Sequence, residues 1–202
     1  GPVTEPLPAA SAPRGTYAKS ERRRAEIIAA ATAEFAARGY HGGSLRRIAR
    51  GLGVSLTVLQ HHFGSKDALL IAVLEDADHR RADWFREQAR DHGVAHAVAA
   101  LARVNLERPE MLRLLASVAA EASTPGHPAH GWFVDRYASL VALLAGMIAA
   151  DPRCAAAVES VTAPRLARQL VAVWDGLQLQ WLLDPSLDMA GDLEHAARRL
   201  LG

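Results

Sequence analysis

The stretch SLRRIARGLGVSLTVLQHHFGSK, residues 44–66, decides the fold. It reads as two short helices joined by a tight turn. Ser44 caps the first helix, whose inward face is Leu45, Ile48, Ala49 and Leu52. Gly53 takes the turn, and Ser55 caps a second helix with Val58, Leu59 and His62 inward. The spacing of Ala49, Gly53 and Leu59 has a geometric reason. A small residue lets the second helix cross closely, a glycine accepts positive φ, and an aliphatic side chain closes the small core. This is the pattern of a helix-turn-helix, the unit that lays its second helix in the DNA major groove.

Charge points the same way. Arg46 and Arg47 fall in the first turn of their helix, and Lys66 follows Ser65 at the start of the next. The helix macrodipole disfavours cations there, whereas a docked phosphate reverses the preference. Taken singly, each reads as a solvated surface charge; three around one helix-turn-helix favour phosphate. No Asp or Glu lies between Phe35 and Lys66. From Lys19 to Lys66, nine Lys and Arg face three acids, a net of +6, while the whole chain nets +1. A basic head on an acidic body is the footprint of a nucleic-acid binder whose other half does something else.

Outward from that stretch, 202 residues that are 50% hydrophobic, without period-two β-branched runs, predict an all-α protein. Cys154 is the single cysteine, which excludes a disulfide within the chain and a cysteine-cluster metal site. No charged-then-apolar leader and no uninterrupted apolar run of membrane-spanning length is read, so the expectation is a cytoplasmic protein with no membrane partner. Residues 1–17, rich in Pro, Ala and Gly, read as a flexible tail. Ile27, Ile28, Ala31 and Phe35 predict a helix from about Ser20 to Arg38, ended by Gly39. With the two helices of the opening stretch it completes a three-helix head over 18–65. Residues 66–202 form the body: a long helix from Lys66 to Asp91, then helices over 94–107, 109–122 and 129–150, a connection or short helix over 153–162, and helices over 164–183 and 189–201. The chain is thus read as about nine helices.

These residues resemble the tetracycline-repressor-type (TetR-like) family of transcriptional regulators. The resemblance is carried by Phe35, Gly39, Tyr40, Ser44, Ile48, Ala49, Gly53, Val54, Ser55, Leu59, His62, Phe63, Lys66 and Leu69. A second, looser likeness to one subgroup's regulatory domain rests on Glu121-Ala122, His127-Pro128, Trp132 and the run Asp175-Gly176-Leu177-Gln178. The family resemblance implies a homodimer through the last two long helices, whose recognition helices enter successive major grooves of a near-palindromic operator in double-stranded DNA. It also implies a small-molecule effector, bound between the remaining helices, that releases a repressor. Carried over by position, Ser44, His61 and Lys66 would contact phosphate, and Arg46 and Arg47 phosphates or groove edges. Ser55, Leu56, Thr57 and Gln60 would lie on the exposed side of the recognition helix. Most members carry Tyr in place of Gln60 and a small residue in place of Thr57. These departures suggest direct readout, since Gln pairs bidentately with adenine and a Thr methyl meets a thymine methyl.

For the cavity, Trp84, Met111, Leu115, Phe133 and Tyr137 are candidates, each also readable as ordinary core. Trp174 and Gln178 share a face with Leu170, Leu177 and Trp181, around a mid-helix Gly176 that something must approach closely. A partner subunit is preferred there over a ligand, because aromatic-rich helical faces are more often interface. The expected effector is largely apolar. His92 and His96, or His127 and His130, are at most fragments of a metal site; no metal, cofactor or catalytic residue is assigned. An enzyme finds no support, since there is no Glu-x-x-His pair, nucleophile elbow or phosphate-cradling glycine loop. The remaining alternative is a helical dimeric DNA-binding or interaction protein without an effector.

Overall fold

A computed structural model describes residues 14–78 and 81–202. Residues 1–13, most of the expected tail, lie outside the described residues. The described chain is all-helical: α1 (Arg14–Gly42), α2 (Leu45–Leu52), α3 (Leu56–His62), α4 (Lys66–Asp78), α5 (Ala82–His92), α6 (Val94–Asn105), α7 (Pro109–Ala122), α8 (His130–Ala150), α9 (Ala155–Ser160), α10 (Ala163–Leu183) and α11 (Met189–Leu201). One 3-10 turn, Pro152–Cys154, precedes α9.

Local sequence explains the head. The Ser44 side chain accepts from the Arg47 N–H at 3.2 Å, and the Ser55 side chain from the Val58 N–H at 3.1 Å. Ser65 caps α4 in the same way, at 3.1 Å from the Ala68 N–H. Gly53 turns the chain at φ 67°, ψ 27°. Ile48, Ala49, Leu59 and Phe63 are buried against Ile27, Ala31 and Phe35 of α1. Val58 is not inward as expected: at 41% exposure it lies on the outer side of α3. A seven-residue helix buries one narrow face, and Leu59 occupies it.

Two other expectations are revised. Residues Arg14–Lys19 continue α1 rather than belonging to the tail. The single helix expected over 66–91 is two, with Arg81 in a non-helical conformation (φ −121°, ψ 7°) before α5. The buried stripe of α4 ends at Leu74, and the next buried residue described is Phe85 of α5. The split of 66–91 takes the described helices above the nine or so expected, and α9 is the short helix that 153–162 allowed.

Among the described residues there are two hydrophobic cores. The first joins α1–α4 to α7 and the start of α8, through Leu114, Leu115, Val118, Ala122 and Phe133. The second joins α5, α6, the end of α8 and α9–α11. The first core therefore runs straight from the helix-turn-helix into the body, with α1 lying along α7.

A polar clasp closes that seam. α1 breaks at Gly39 (φ 68°, ψ −175°), and the freed Tyr40 N–H donates to both carboxylate oxygens of Glu121, at 3.2 and 3.1 Å. A Cβ on Gly39 would stand 1.9 Å from Glu121 Oε1, so only glycine admits the carboxylate. Behind Glu121 lies His127, its side chain 2% exposed. The Ala129 N–H donates to His127 Nδ1 at 3.0 Å, which puts the ring proton on Nε2, 3.4 Å from Glu121 Oε2 without a well-aligned bond. His41 completes a ligand-like cluster with these two. A metal ion would need a lone pair on Nε2, which the Ala129 contact has already placed on Nδ1, so the group is a clasp between head and body.

Asp151 performs a similar task in the second core. It is buried, and its carboxylate accepts from the Val94 N–H at 3.1 Å and the Arg153 N–H at 2.9 Å, tying the end of α8 to the start of α6. Burial pushes its pKa up, but these bonds and the Arg153 guanidinium outweigh that and hold it below its ordinary 3.8.

Gly39→Ala is expected to lower stability by about 1–3 kcal/mol, from positive φ and expulsion of the Glu121 carboxylate, as read by urea denaturation. Asp151→Asn should destabilise at pH 7. A depressed folded pKa contributes stability above the unfolded value that is lost as pH falls through the folded one, so the gap between variant and parent should narrow below about pH 4. A gap of constant size from pH 7 to pH 3 would contradict this account.

Candidate DNA-facing surface and ligand cavity

Most of the residues expected to face DNA are exposed on the head. Ser55, Thr57, Gln60 and His61 are exposed along α3, and Leu56 is half-buried. Arg46 and Arg50 are exposed on α2 and form no ion pair among the described residues. Ser44 is half-buried and its hydroxyl oxygen is occupied as a cap.

Two of the cations that looked misplaced have partners inside the chain. Arg47 Nε donates to Glu34 Oε1 at 2.6 Å, and its terminal nitrogen to the Gly42 carbonyl at 3.2 Å. Glu34 also accepts from the Ser44 N–H at 3.3 Å, so one carboxylate gathers the start of α2. Lys66 sets its ammonium 4.5 Å above the Tyr40 ring, whose hydroxyl donates to Asp67. The charge held wholly outward near α3 is thus that of Arg46 and Arg50.

In the body, one cavity of about 790 Å³ lies between α4, α5, α6, α7, α8 and α10. Trp84, Met111, Leu115, Phe133, Tyr137, Trp174 and Gln178 all line it. The structure thus brings together residues from four helices that sequence reasoning could only name separately. Trp174 Nε1 donates to Gln178 Oε1 at 3.1 Å along one turn of α10, which sets the indole against the cavity. Gly176 is exposed and nothing in the same chain comes within 4 Å of where its Cβ would be. The close approach inferred from its place in the helix does not come from this chain.

Sequence reasoning missed the charged part of the wall. Asp175 lines the cavity, and Tyr137 Oη donates to its Oδ2 at 2.7 Å. Burial raises the Asp175 pKa against the opposing pull of the Tyr137 hydrogen bond and of Arg136. Tyr137 is itself pushed up to about 12, by burial and then by Asp175. Arg136 and Asp78, also in the wall, pair at 2.8 Å. The signal in the sequence was the one acid of α10, beside Trp174 and about one turn from Gln178.

On the outer side, α8 and α10 form a shallow groove floored by Ala138, Val141, Ala142, Ala145 and Ala172, with Arg168 at its edge and the Tyr137–Asp175 pair shared between it and the cavity. Val134, Leu179 and Leu183 stand exposed beside it. α8 is long and apolar enough to cross a membrane by length and composition, although Asp135 and Arg136 interrupt its apolar run. Only 17% of that apolar window is buried within the chain.

Comparison with known proteins bears on both halves. Residues 27–73 match the family model described as bacterial regulatory proteins, tetR family. Over 71 residues, 35% of this chain and 32% of its relative, the chain is 41% identical to the transcriptional activator FasR of Mycolicibacterium smegmatis. It is 32% identical over 83 residues to the repressor AcnR of Corynebacterium jeikeium, covering 41% of this chain and 42% of the relative. The chain thus spans about a third to two fifths of the length of these curated relatives, which are regulators rather than enzymes. In three dimensions it is similar to NalD, the secondary repressor of a multidrug efflux pump in Pseudomonas aeruginosa, with a TM-score of 0.71 at 22% identity, over 90% of this chain and 95% of that one. A TetR-family regulator from Rhodococcus sp. superposes with a TM-score of 0.68 at 23% identity, over 90% and 100%. At such identities these two structures speak for the fold alone. Residues 27–73 thus match the helix-turn-helix part of the tetR family, and the chain as a whole shares the fold of these regulators.

Proposed function

We propose that the protein is a homodimeric transcriptional repressor that binds a near-palindromic operator and is released by a small, largely apolar effector. The observation that carries this reading is the double duty of α7. Met111, Leu112 and Leu115 wall the cavity, while Leu114, Val118 and Ala122 pack into the core of the helix-turn-helix head, and Glu121 holds the Tyr40 amide. Anything that shifts α7 on filling the cavity must also move α1. In this reading residues 18–65 are the DNA-binding head and 66–202 the regulatory body, and the protein works in the cytoplasm.

Two further features support it. The exposed side of α3 offers Thr57 and Gln60 for base edges, with Arg46 and Arg50 alongside for phosphates. The small-residue groove and exposed Val134, Leu179 and Leu183 on α8 and α10 are what a partner copy would cover in a four-helix interface. Two-fold symmetry then presents a pair of recognition helices about 34 Å apart, one turn of DNA.

The test is binding to duplex from upstream of the protein's own gene. A near-palindrome there should be bound far better than random duplex, with affinity falling steeply as salt rises. Gln60→Ala should relax preference at one base position by about 1–3 kcal/mol, whereas Arg46→Ala should weaken all sequences alike and flatten the salt slope by about one. Equal binding to operator and random duplex would defeat the proposal. Transcription from that promoter gives the sign: a template that the protein activates would replace repressor by activator.

The dimer has its own test. Leu179→Glu with Leu183→Glu should yield monomers by sedimentation and abolish cooperative operator binding, because two charges would face the covered surface. A variant that stays dimeric would move the interface elsewhere.

A further inference from the structure

We propose that the cavity selects an amphiphilic cation, an apolar molecule with one amine or ammonium group, and that the Asp175 carboxylate anchors it. This inference rests on the ligand-responsive reading above and names the class of ligand.

The argument is one of charge accounting inside the wall. Three acids and three arginines line the cavity: Asp76, Asp78 and Asp175, with Arg81, Arg108 and Arg136. Arg136 and Asp78 neutralise each other at 2.8 Å. Asp76 has an interaction of its own. Arg81 and Arg108 are exposed, with their guanidinium groups free to stay in water at the rim. Asp175 is different. Its hydrogen-bond partner is a neutral one, the Tyr137 hydroxyl; Arg136, already paired with Asp78, lowers its pKa only from a distance, and no cationic side chain lies within ion-pair distance among the described residues.

A carboxylate in an apolar wall is costly to keep charged, and burial raises the Asp175 pKa accordingly. A cation arriving in the cavity supplies a close counter-charge to a carboxylate that burial has partly stripped of water. The surrounding rings of Trp84, Phe133, Tyr137 and Trp174 offer apolar area and π faces that favour the same group. An anionic ligand would meet Asp175 as a like charge. A neutral one would cover the rings and leave the carboxylate without a counter-ion. The volume of about 790 Å³ suits a drug-sized molecule.

The experiment uses the full chain and three probes with one tail: dodecyltrimethylammonium, dodecanol and dodecanoate, each below its micelle concentration, titrated by calorimetry. The ammonium should bind about tenfold or more tighter than the alcohol, and the alcohol tighter than the carboxylate. In Asp175→Asn the ammonium should fall to within about twofold of the alcohol, the charge pair being gone. Alcohol binding to that variant reports an intact cavity; if the variant does not fold, the ranking on the parent protein decides. Carboxylate binding tightest, equal binding of all three, or an ammonium advantage that survives Asp175→Asn would each overturn the inference. If the alcohol binds and releases operator DNA while the ammonium binds no better, only the choice of cation falls. If none of the three binds, the cation inference falls too; the effector reading would then be tested by operator release with other compounds.

Discussion

The structure depends on the seam between α1 and α7. Its apolar part is continuous core, with Phe35 and Ile27 on one side and Leu114 and Val118 on the other. Its polar part is a single carboxylate, Glu121, seated on the Tyr40 amide where α1 breaks. A helix break leaves backbone N–H groups without acceptors, and burying one unpaired costs about 1–3 kcal/mol. Glu121 removes that cost and orients the turn into α2. The same turn feeds Ser44 and Glu34, which set the N-terminus of α2 and, through it, the pose of α3. The exposed surface of α3 is therefore positioned from the body as much as from the head.

This arrangement suits signalling because the packing is contiguous. The cavity wall includes Ala116, Ala119 and Ala120, the turn of α7 just before Glu121. Small residues give a ligand room at the wall, and a close-packed helix passes a displacement along its length rather than absorbing it. The His127 side chain behind Glu121 adds a second tie, because the loop to α8 is held through the Ala129 amide and Phe133 one turn later lines the cavity. α7 and α8 thus both run from the cavity to the clasp.

Electrostatics divides the molecule into two regimes. On the head, Arg46 and Arg50 stand in water, where long-range attraction to a polyanion is strong at low salt and screened at high salt. In the cavity, Asp175 and Tyr137 sit in a low-dielectric wall, where one charge counts for more and cannot be screened. Arg47 belongs to neither regime. Glu34 has claimed it, so its place at a helix N-terminus is explained by an internal acid as well as by any phosphate.

Much was legible in the order of residues. Short-range rules acting within four residues made Ser44, Ser55 and Gly53 readable as caps and turn, and helical periodicity made Ile48, Ala49 and Leu59 readable as core. The large apolar and aromatic residues Trp84, Met111, Leu115, Phe133, Tyr137 and Trp174 were picked out as candidates by size and face, and they share one cavity. What the order of residues could not decide is which charges meet. Glu121 and Tyr40 are 81 positions apart, Tyr137 and Asp175 are 38 apart, and Arg47 finds Glu34 on another helix. The break near Arg81 falls between the buried stripe of α4, which ends at Leu74, and Phe85 of α5. Caps, turns and stripes are local and therefore written in the sequence. The clasp, the anchored arginine and the half-buried Asp175 exist only where packing brings distant groups together and limits their access to water.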